Sequence, residues 1–287
     1  LMLGMVLNFI SMAMASAVRL DALLREKPAI EEAPGARRLP SLKGKIEFRN
    51  VSFRYGQGEK ALSGIDLVIE PGEKLGIIGT TGAGKSSLAT LIPRFYDPEE
   101  GCVLLDGIDV RRLSFDTLRT RVSMVLQETI LFSGTIRDNI AFGAAGASQA
   151  DLERAAGIAC ADEFISERPE GWDAPVGERG AGLSGGQRQR VAIARAIAAA
   201  PDIIILDDVT SSLDATTERR IVEALYREFG GRTAIIISQK INTIRSADRI
   251  VVMEDSRIIA TGSHEELLKS DATYRTIFET QSGSAGV

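Results

Sequence analysis

The first 18 residues, Leu1 to Val18, are uncharged and rich in Leu, Met and Ala. That is the shortest run able to cross a bilayer as a helix. Ala15-Ser16-Ala17 resembles a leader cleavage site, but no basic residue precedes the run, and Asn8, Ser11 and Ser16 also allow a buried amphipathic helix. The favoured expectation is the cytoplasmic end of a membrane helix running into the charged stretch Arg19 to Lys27, so residues 1–27 form one unit. Because the chain opens on Leu1 and not Met, it is expected to be a piece of something longer. Pro28, Pro34, Gly35 and Pro40 then interrupt any helix or central strand, which predicts a linker over 28–44 and a globular domain over 45–287.

Within that domain the pattern changes twice. The β-rich runs Lys45–Tyr55, Leu62–Glu70 and Lys74–Ile78 lead to a helix start at Gly84. Later, the continuous apolar runs Ile203–Leu206, Thr233–Ile237 and Ile250–Met253 alternate with helical segments. Strands apolar on both sides and separated by helices predict a parallel sheet covered on both faces, with an antiparallel β portion in front. Between about 128 and 182 strand signals lapse and stretches such as Asp151–Ala161 predict an inserted helical subdomain. The expected fold class is therefore α/β.

Composition narrows the function. With 34 Lys and Arg against 39 Asp and Glu, the formal charge is -5, which leaves no surplus of cations to neutralise nucleic-acid phosphates. The 287 residues, 44% of them hydrophobic, suffice for a full core. Cys102 and Cys160 are too far apart for a metal pair and too few for a disulfide framework, so both are expected as reduced, buried thiols.

Gly79-Thr80-Thr81-Gly82-Ala83-Gly84-Lys85-Ser86 follows a predicted strand and opens a predicted helix, the setting a phosphate-binding loop of the P-loop NTPase kind requires. Its glycines let successive N–H groups curl around one anion at a helix start. Lys85 is then placed for β- and γ-phosphates, and the Ser86 hydroxyl for Mg²⁺. The buried run Ile203–Leu206 ends in Asp207 and Asp208; Asp207 is the candidate Mg²⁺ partner, although Thr210, Ser211 and Ser212 make a helix-capping role an alternative. Leu183-Ser184-Gly185-Gly186-Gln187 opens a long helix through Ala200, a second helix start able to bind phosphate or simply a serine cap.

Taken together, these motifs resemble the nucleotide-binding domain of an ABC exporter half-transporter, over Lys45 to about Phe278, with Ala15–Leu24 similar to the end of that family's last transmembrane helix. The resemblance implies that two such domains enclose two ATP molecules head to tail. Each ATP then lies between the phosphate loop of one subunit, here with Ser87 at its end, and the Ser184–Gln187 signature of the other. It also implies that Tyr55 stacks on adenine and that Gln127 senses Mg²⁺ and the membrane domain. Val176–Gly180, with Glu178, resembles an exporter-type loop, and Ser212-Leu213-Asp214 the loop that crosses to the partner. The partners implied are a second half-transporter, the chain's own transmembrane domain and a transported substrate, at the cytoplasmic face of the cell membrane.

Two positions depart from the family pattern. Asp208 stands where a Glu aligns the attacking water, and Gln239 follows Ser238 where a His contacts the γ-phosphate. Asp is one methylene shorter, and Gln cannot carry an imidazolium charge. The only histidine, His264, is expected as a surface residue in the first turn of a helix capped by Ser263. These departures suggest a degenerate half of a heterodimer, with a slow homodimeric pump or a regulatory ATP-binding subunit as alternatives. A soluble ATPase acting on DNA or ribosomes fits neither the apolar start nor the charge.

Overall fold

A computed structural model describes residues 2–26, 28–144, 146–210 and 212–283. Of the positions weighed above, Leu1, Lys27 and Ser211 lie outside the described residues. Two compact units are separable, Leu1–Glu31 and Glu32–Val287. The first holds helix α1 (Met2–Arg25), with none of its residues buried. With a mean hydropathy of 1.6 over its apolar stretch, α1 is long and apolar enough to cross a membrane. The Ser16 hydroxyl donates to Met12 O at 2.9 Å, so this polar group is satisfied inside the helix.

In the second unit, β1 (Ile46–Arg54), β2 (Lys60–Ile69), β3 (Lys74–Gly79), α2 (Lys85–Leu91), β4 (Glu100–Leu105) and β5 (Ile108–Asp109) come first. Next are α3 (Phe115–Arg121), β6 (Val122–Val125), β7 (Gly134–Thr135), α4 (Ile136–Ala141), α5 (Gln149–Ile158), α6 (Asp162–Ser166) and β8 (Pro175–Val176). The chain continues through α7 (Gly185–Ala198), β9 (Ile203–Asp207), α8 (Ala215–Glu228), β10 (Thr233–Ile237) and α9 (Ile241–Ile244). It ends with β11 (Arg249–Glu254), β12 (Arg257–Gly262), α10 (His264–Ser270) and α11 (Ala272–Gly283).

The main sheet has the order β12-β11-β3-β10-β9-β6, parallel except for β12. A second, antiparallel sheet has the order β2-β1-β4-β5. Because side chains alternate across a strand, β9 splits its apolar run between two cores. Ile203 and Ile205 join Leu75, Ile77, Ile235 and Ile237 in the core shared with the antiparallel sheet and α2. Ile204 and Leu206 join Ile78, Ala234 and Ile236 against helices that include α5, α7 and α8. Burial on both faces explains why the run carries no polar alternation.

Residues 37–44 lack a regular element but are bonded to this unit. The Leu39 N–H donates to Thr117 Oγ1 at 2.8 Å and the Leu42 N–H to Asp202 Oδ2 at 2.8 Å. In the helical region the sequence pattern missed one pairing, since β7 and β8 form an antiparallel pair of two residues each, too short to show a period. The predicted helix Asp151–Ala161 also stops early, at Ile158, where Cys160 takes a left-handed φ of 51°. Cys160 is buried but Cys102 is only half-buried, and both are free. Ser263 does cap α10, through a capping box with Glu266. His264 is more than a surface residue, however: its Nδ1 lies 2.7 Å from the Tyr274 hydroxyl and its ring packs edge-on to Phe278. Partial burial, with Arg245 nearby, lowers its pKa.

Ile205 sits at 0% exposure in the middle of the sheet. Ile205→Ala should lower unfolding free energy by about 3 kcal/mol, through lost burial and a residual cavity, with an unchanged denaturant slope in urea titration.

Candidate functional site

Strand register decides which loops meet. Ile237 lies beside Ile77 on one side and beside Asp207 on the other, so β3, β10 and β9 end nearly flush. Beyond those ends lie residues 79–84, Ser238-Gln239 and Asp208. Such an edge, at the carboxyl ends of parallel strands, is where α/β folds gather ligand-binding loops.

Two glycines of the first loop are forced by neighbouring backbone. A Cβ on Gly79, whose φ is +158°, would lie 2.0 Å from Met253 O, and one on Gly84, at φ +92°, would lie 2.2 Å from Ala61 O. Thr80, Thr81 and Gly82 at the loop's tip are exposed, while Ala83 is buried beneath. Lys85 is 9% exposed and its Nζ donates to Gly79 O at 2.9 Å and Thr80 O at 2.8 Å. An ammonium has three donors, so these two bonds brace the loop and leave one N–H for an anion. Burial pushes the Lys85 pKa down, and the charges of Asp208 and Asp207 oppose that shift.

The Ser86 hydroxyl donates to Asp207 Oδ1 at 3.0 Å, joining the helix start to the end of β9. A hydroxyl and one carboxylate are hard oxygen donors, a set that suits Mg²⁺ shared with phosphate oxygens. Among the described residues no group of three or more His, Cys, Asp or Glu could hold a metal alone. Tyr55 is 46% exposed, edge-on to Phe53 and Tyr96 at 4.7 and 5.1 Å, and its hydroxyl bonds Ser87 Oγ at 3.2 Å. The ring is thus fixed beside α2 and still open to solvent.

Asp208 adopts a left-handed φ of 49°, a conformation Asp tolerates better than most residues. Gln239 Nε2 donates to Asp208 Oδ2 at 3.4 Å, bringing the two departing positions together. Burial raises the pKa of Asp207 despite its Ser86 bond, and burial also raises that of Asp208 against the charges of Lys85 and Lys240. Sequence reasoning missed the support behind this pair. Buried Glu218 accepts from Thr210 Oγ1 at 2.7 Å, from Lys240 Nζ at 2.9 Å and from the Thr243 hydroxyl. No motif announces it, since the partners come from two segments distant from it in sequence, Thr210 beyond β9 and Lys240 and Thr243 beyond β10.

Ser184 is the N-cap of α7: its hydroxyl accepts from the Gln187 N–H, and Gln187 Oε1 accepts from the Ser184 N–H at 3.0 Å. With Gly185 and Gly186 it lines a hollow of about 420 Å³ whose other walls include Ser212, Leu213 and Asp214, with no phosphate-loop residue among them. Gln127 is exposed just past β6 and lines a cavity of about 800 Å³ with Glu178, Arg179 and Gln189.

The family model for ABC transporters matches residues 62–211, from β2 past the end of β9. The chain belongs to the ABC transporter family. It is 47% identical over 272 residues to the ATP-dependent lipid A-core flippase of Desulfotalea psychrophila, covering 95% of this chain and 47% of that protein. It is 44% identical over 263 residues to the heterocyst differentiation ATP-binding protein HepA of Nostoc sp., covering 91% of this chain and 43% of that protein. A bacterial Atm1-family ABC exporter with ATP bound superimposes with a TM-score of 0.90 at 38% identity, over 98% of this chain and 49% of that one. The ABC chain described here therefore spans about half the length of the curated relatives it matches.

The raised pKa of Asp207 gives a testable sign. Its folded value lies above the ordinary 3.8, so its contribution to stability is present below that pH and lost as pH rises through the folded value. Asp207→Asn should therefore melt higher than the unmodified protein at pH 7, with the gap closing as pH falls toward 4, while Mg²⁺-dependent ATP binding weakens. Melting curves over that pH range and ATP titrations with and without Mg²⁺ check both arms.

Proposed function

We propose that this chain is the ATP-driven motor domain of an ABC exporter, at the cytoplasmic face of a membrane, joined through α1 to the transmembrane part. One observation carries the proposal: Lys85 and Ser184 stand at the starts of two separate helices, and the hollow that Ser184 lines has no phosphate-loop residue in its walls. Each supplies half of an anion site, so a complete site requires a second subunit. An apolar groove of about 460 Å³ edged by Phe95, Ile130, Phe132 and Phe142, all exposed, supports docking of the transmembrane part beside Gln127.

Bound Mg²⁺-ATP supplies the phosphoryl group to be transferred to water. The loop N–H groups of residues 79–84 and the spare Lys85 N–H hold the β- and γ-phosphate charge; Ser86 and Asp207 present oxygens to Mg²⁺. Tyr55 offers an aromatic face to adenine, and Ser184, Gly185, Gly186 and Gln187 offer their helix start to the γ-phosphate on the partner. Gln127, between Leu126 and Glu128 of the groove wall, reports nucleotide state to the membrane part.

The chain's own site is the slower one. A base must come within about 2.6 to 3.2 Å of the proton it takes or work through one water, and Asp208 is one methylene short of the Glu expected there. Its carboxylate is also shared with Gln239 at 3.4 Å, and an amide cannot carry positive charge toward developing phosphate charge. The chain then works as the degenerate half of a heterodimer, its Ser184 signature completing the competent site of the partner.

Steady-state ATPase of the assembled transporter tests this. Ser184→Arg should cut turnover by about a hundredfold by blocking closure of the competent site, and Lys85→Ala by less than about tenfold. Equal losses would point instead to a symmetric homodimer, in which every site contains both residues.

A further inference from the structure

We propose that Gln281, on the last helix, is a positioning residue whose side-chain amide fixes the backbone of residues 239–241 and so holds Gln239 and Asp208 in register at this chain's ATP site. The proposal rests on the ATP site described under Proposed function and adds a control element outside every motif.

Gln281 Nε2 donates to Gln239 O at 2.6 Å, while Gln281 Oε1 accepts from the Ile241 N–H at 2.9 Å. One primary amide thus presents a donor and an acceptor to backbone groups two residues apart, as a peptide unit in a neighbouring strand does. β10 ends at Ile237, so residues 239–241 have left the sheet and its ladder no longer holds them. The residue between the two bonds is gripped from the other side: the Lys240 N–H donates to Ser238 Oγ at 3.0 Å and its Nζ to Glu218 at 2.9 Å. Glu218 also takes the Thr210 hydroxyl, two residues beyond Asp208. Asp208 and Gln239 therefore share one inner support, Glu218, and Gln281 supplies the outer one.

The last helix is fixed well enough to act this way. Tyr274 is fully buried and bonds His264 Nδ1, Phe278 packs on the His264 ring, and the Asp271 carboxylate accepts from the Tyr274 N–H at 2.6 Å. Tyr274, Phe278 and Gln281 stand at i, i+4 and i+7 and so share one face of α11. Anchoring at the first two positions aims the third at the loop. The anchor is the structural role that His264 fulfils.

The test uses the full-length transporter with Gln281→Ala and Gln281→Glu. Hydrogen exchange at the Ile241 amide, ATP binding affinity and single-turnover ATP hydrolysis at this chain's site are read together. Gln281→Ala should speed Ile241 exchange and slow hydrolysis, each by about tenfold for the loss of two hydrogen bonds, with ATP affinity within about twofold. Gln281→Glu keeps the acceptor for Ile241 and loses the donor to Gln239, so Ile241 should stay protected while hydrolysis still slows. An unchanged hydrolysis rate in Gln281→Ala, or a fall matched by an equal loss of ATP affinity and of melting temperature, overturns the positioning role. Failure of the unmodified protein to bind Mg²⁺-ATP would overturn the site itself, and differs from failure of the clamp, in which binding is intact.

Discussion

The flush ending of three parallel strands is the constraint on which the site depends. Ile77, Ile237 and Asp207 lie abreast, and the loops that continue from them carry Lys85, Gln239 and Asp208. A slip of one residue in β9 would swap its apolar side chains between the two cores and carry Asp207 to the opposite face. Because Ile203, Ile204, Ile205 and Leu206 are all at 1% exposure or less, the cores on both faces oppose that slip. Packing along the strands, away from this edge, thus sets the Ser86–Asp207 distance of 3.0 Å.

The same edge is where the domain gives up stability for chemistry. Two adjacent carboxylates and a lysine are drawn out of water, and burial shifts all three pKa values toward their neutral forms. Asp208 adds a left-handed backbone, and Gly79 and Gly84 leave no room for a Cβ. Clusters of this kind persist when the surrounding structure over-determines them. Here the surroundings are the sheet register on one side and the Glu218 network on the other. Ser184 illustrates a cheaper solution, since the bonds that cap α7 also fix the geometry of an exposed helix start.

What could be read in the sequence followed from locality. The phosphate loop, the β9 run and the Ser184 start are contiguous, so their spacing alone places each on its strand or helix. Continuous apolar runs gave the parallel sheet because both faces are buried, and the helical insertion followed from the loss of strand signal. The β7–β8 pair was hidden by its length, and the break at Cys160 by a left-handed turn that no glycine marks. Glu218, Lys240 and Gln281 were invisible for another reason: their partners lie 8 to 42 residues away, and each is an ordinary polar residue on a helix or loop. Gln127 follows β6, and its surroundings, a cavity shared with Glu178, depend on tertiary packing that no local pattern shows.

In the function proposed here, Asp208 and Gln239, as they stand, limit hydrolysis at this chain's own site while leaving nucleotide binding intact. The most direct measurement is single-turnover hydrolysis of trapped ATP in the assembled transporter, comparing the unmodified chain with Asp208→Glu combined with Gln239→His. The longer carboxylate regains reach to the water and the imidazole regains a donor able to carry charge, so the rate should rise by at least about tenfold with ATP affinity unchanged. A rate that stays the same while ATP still binds would contradict the geometric account.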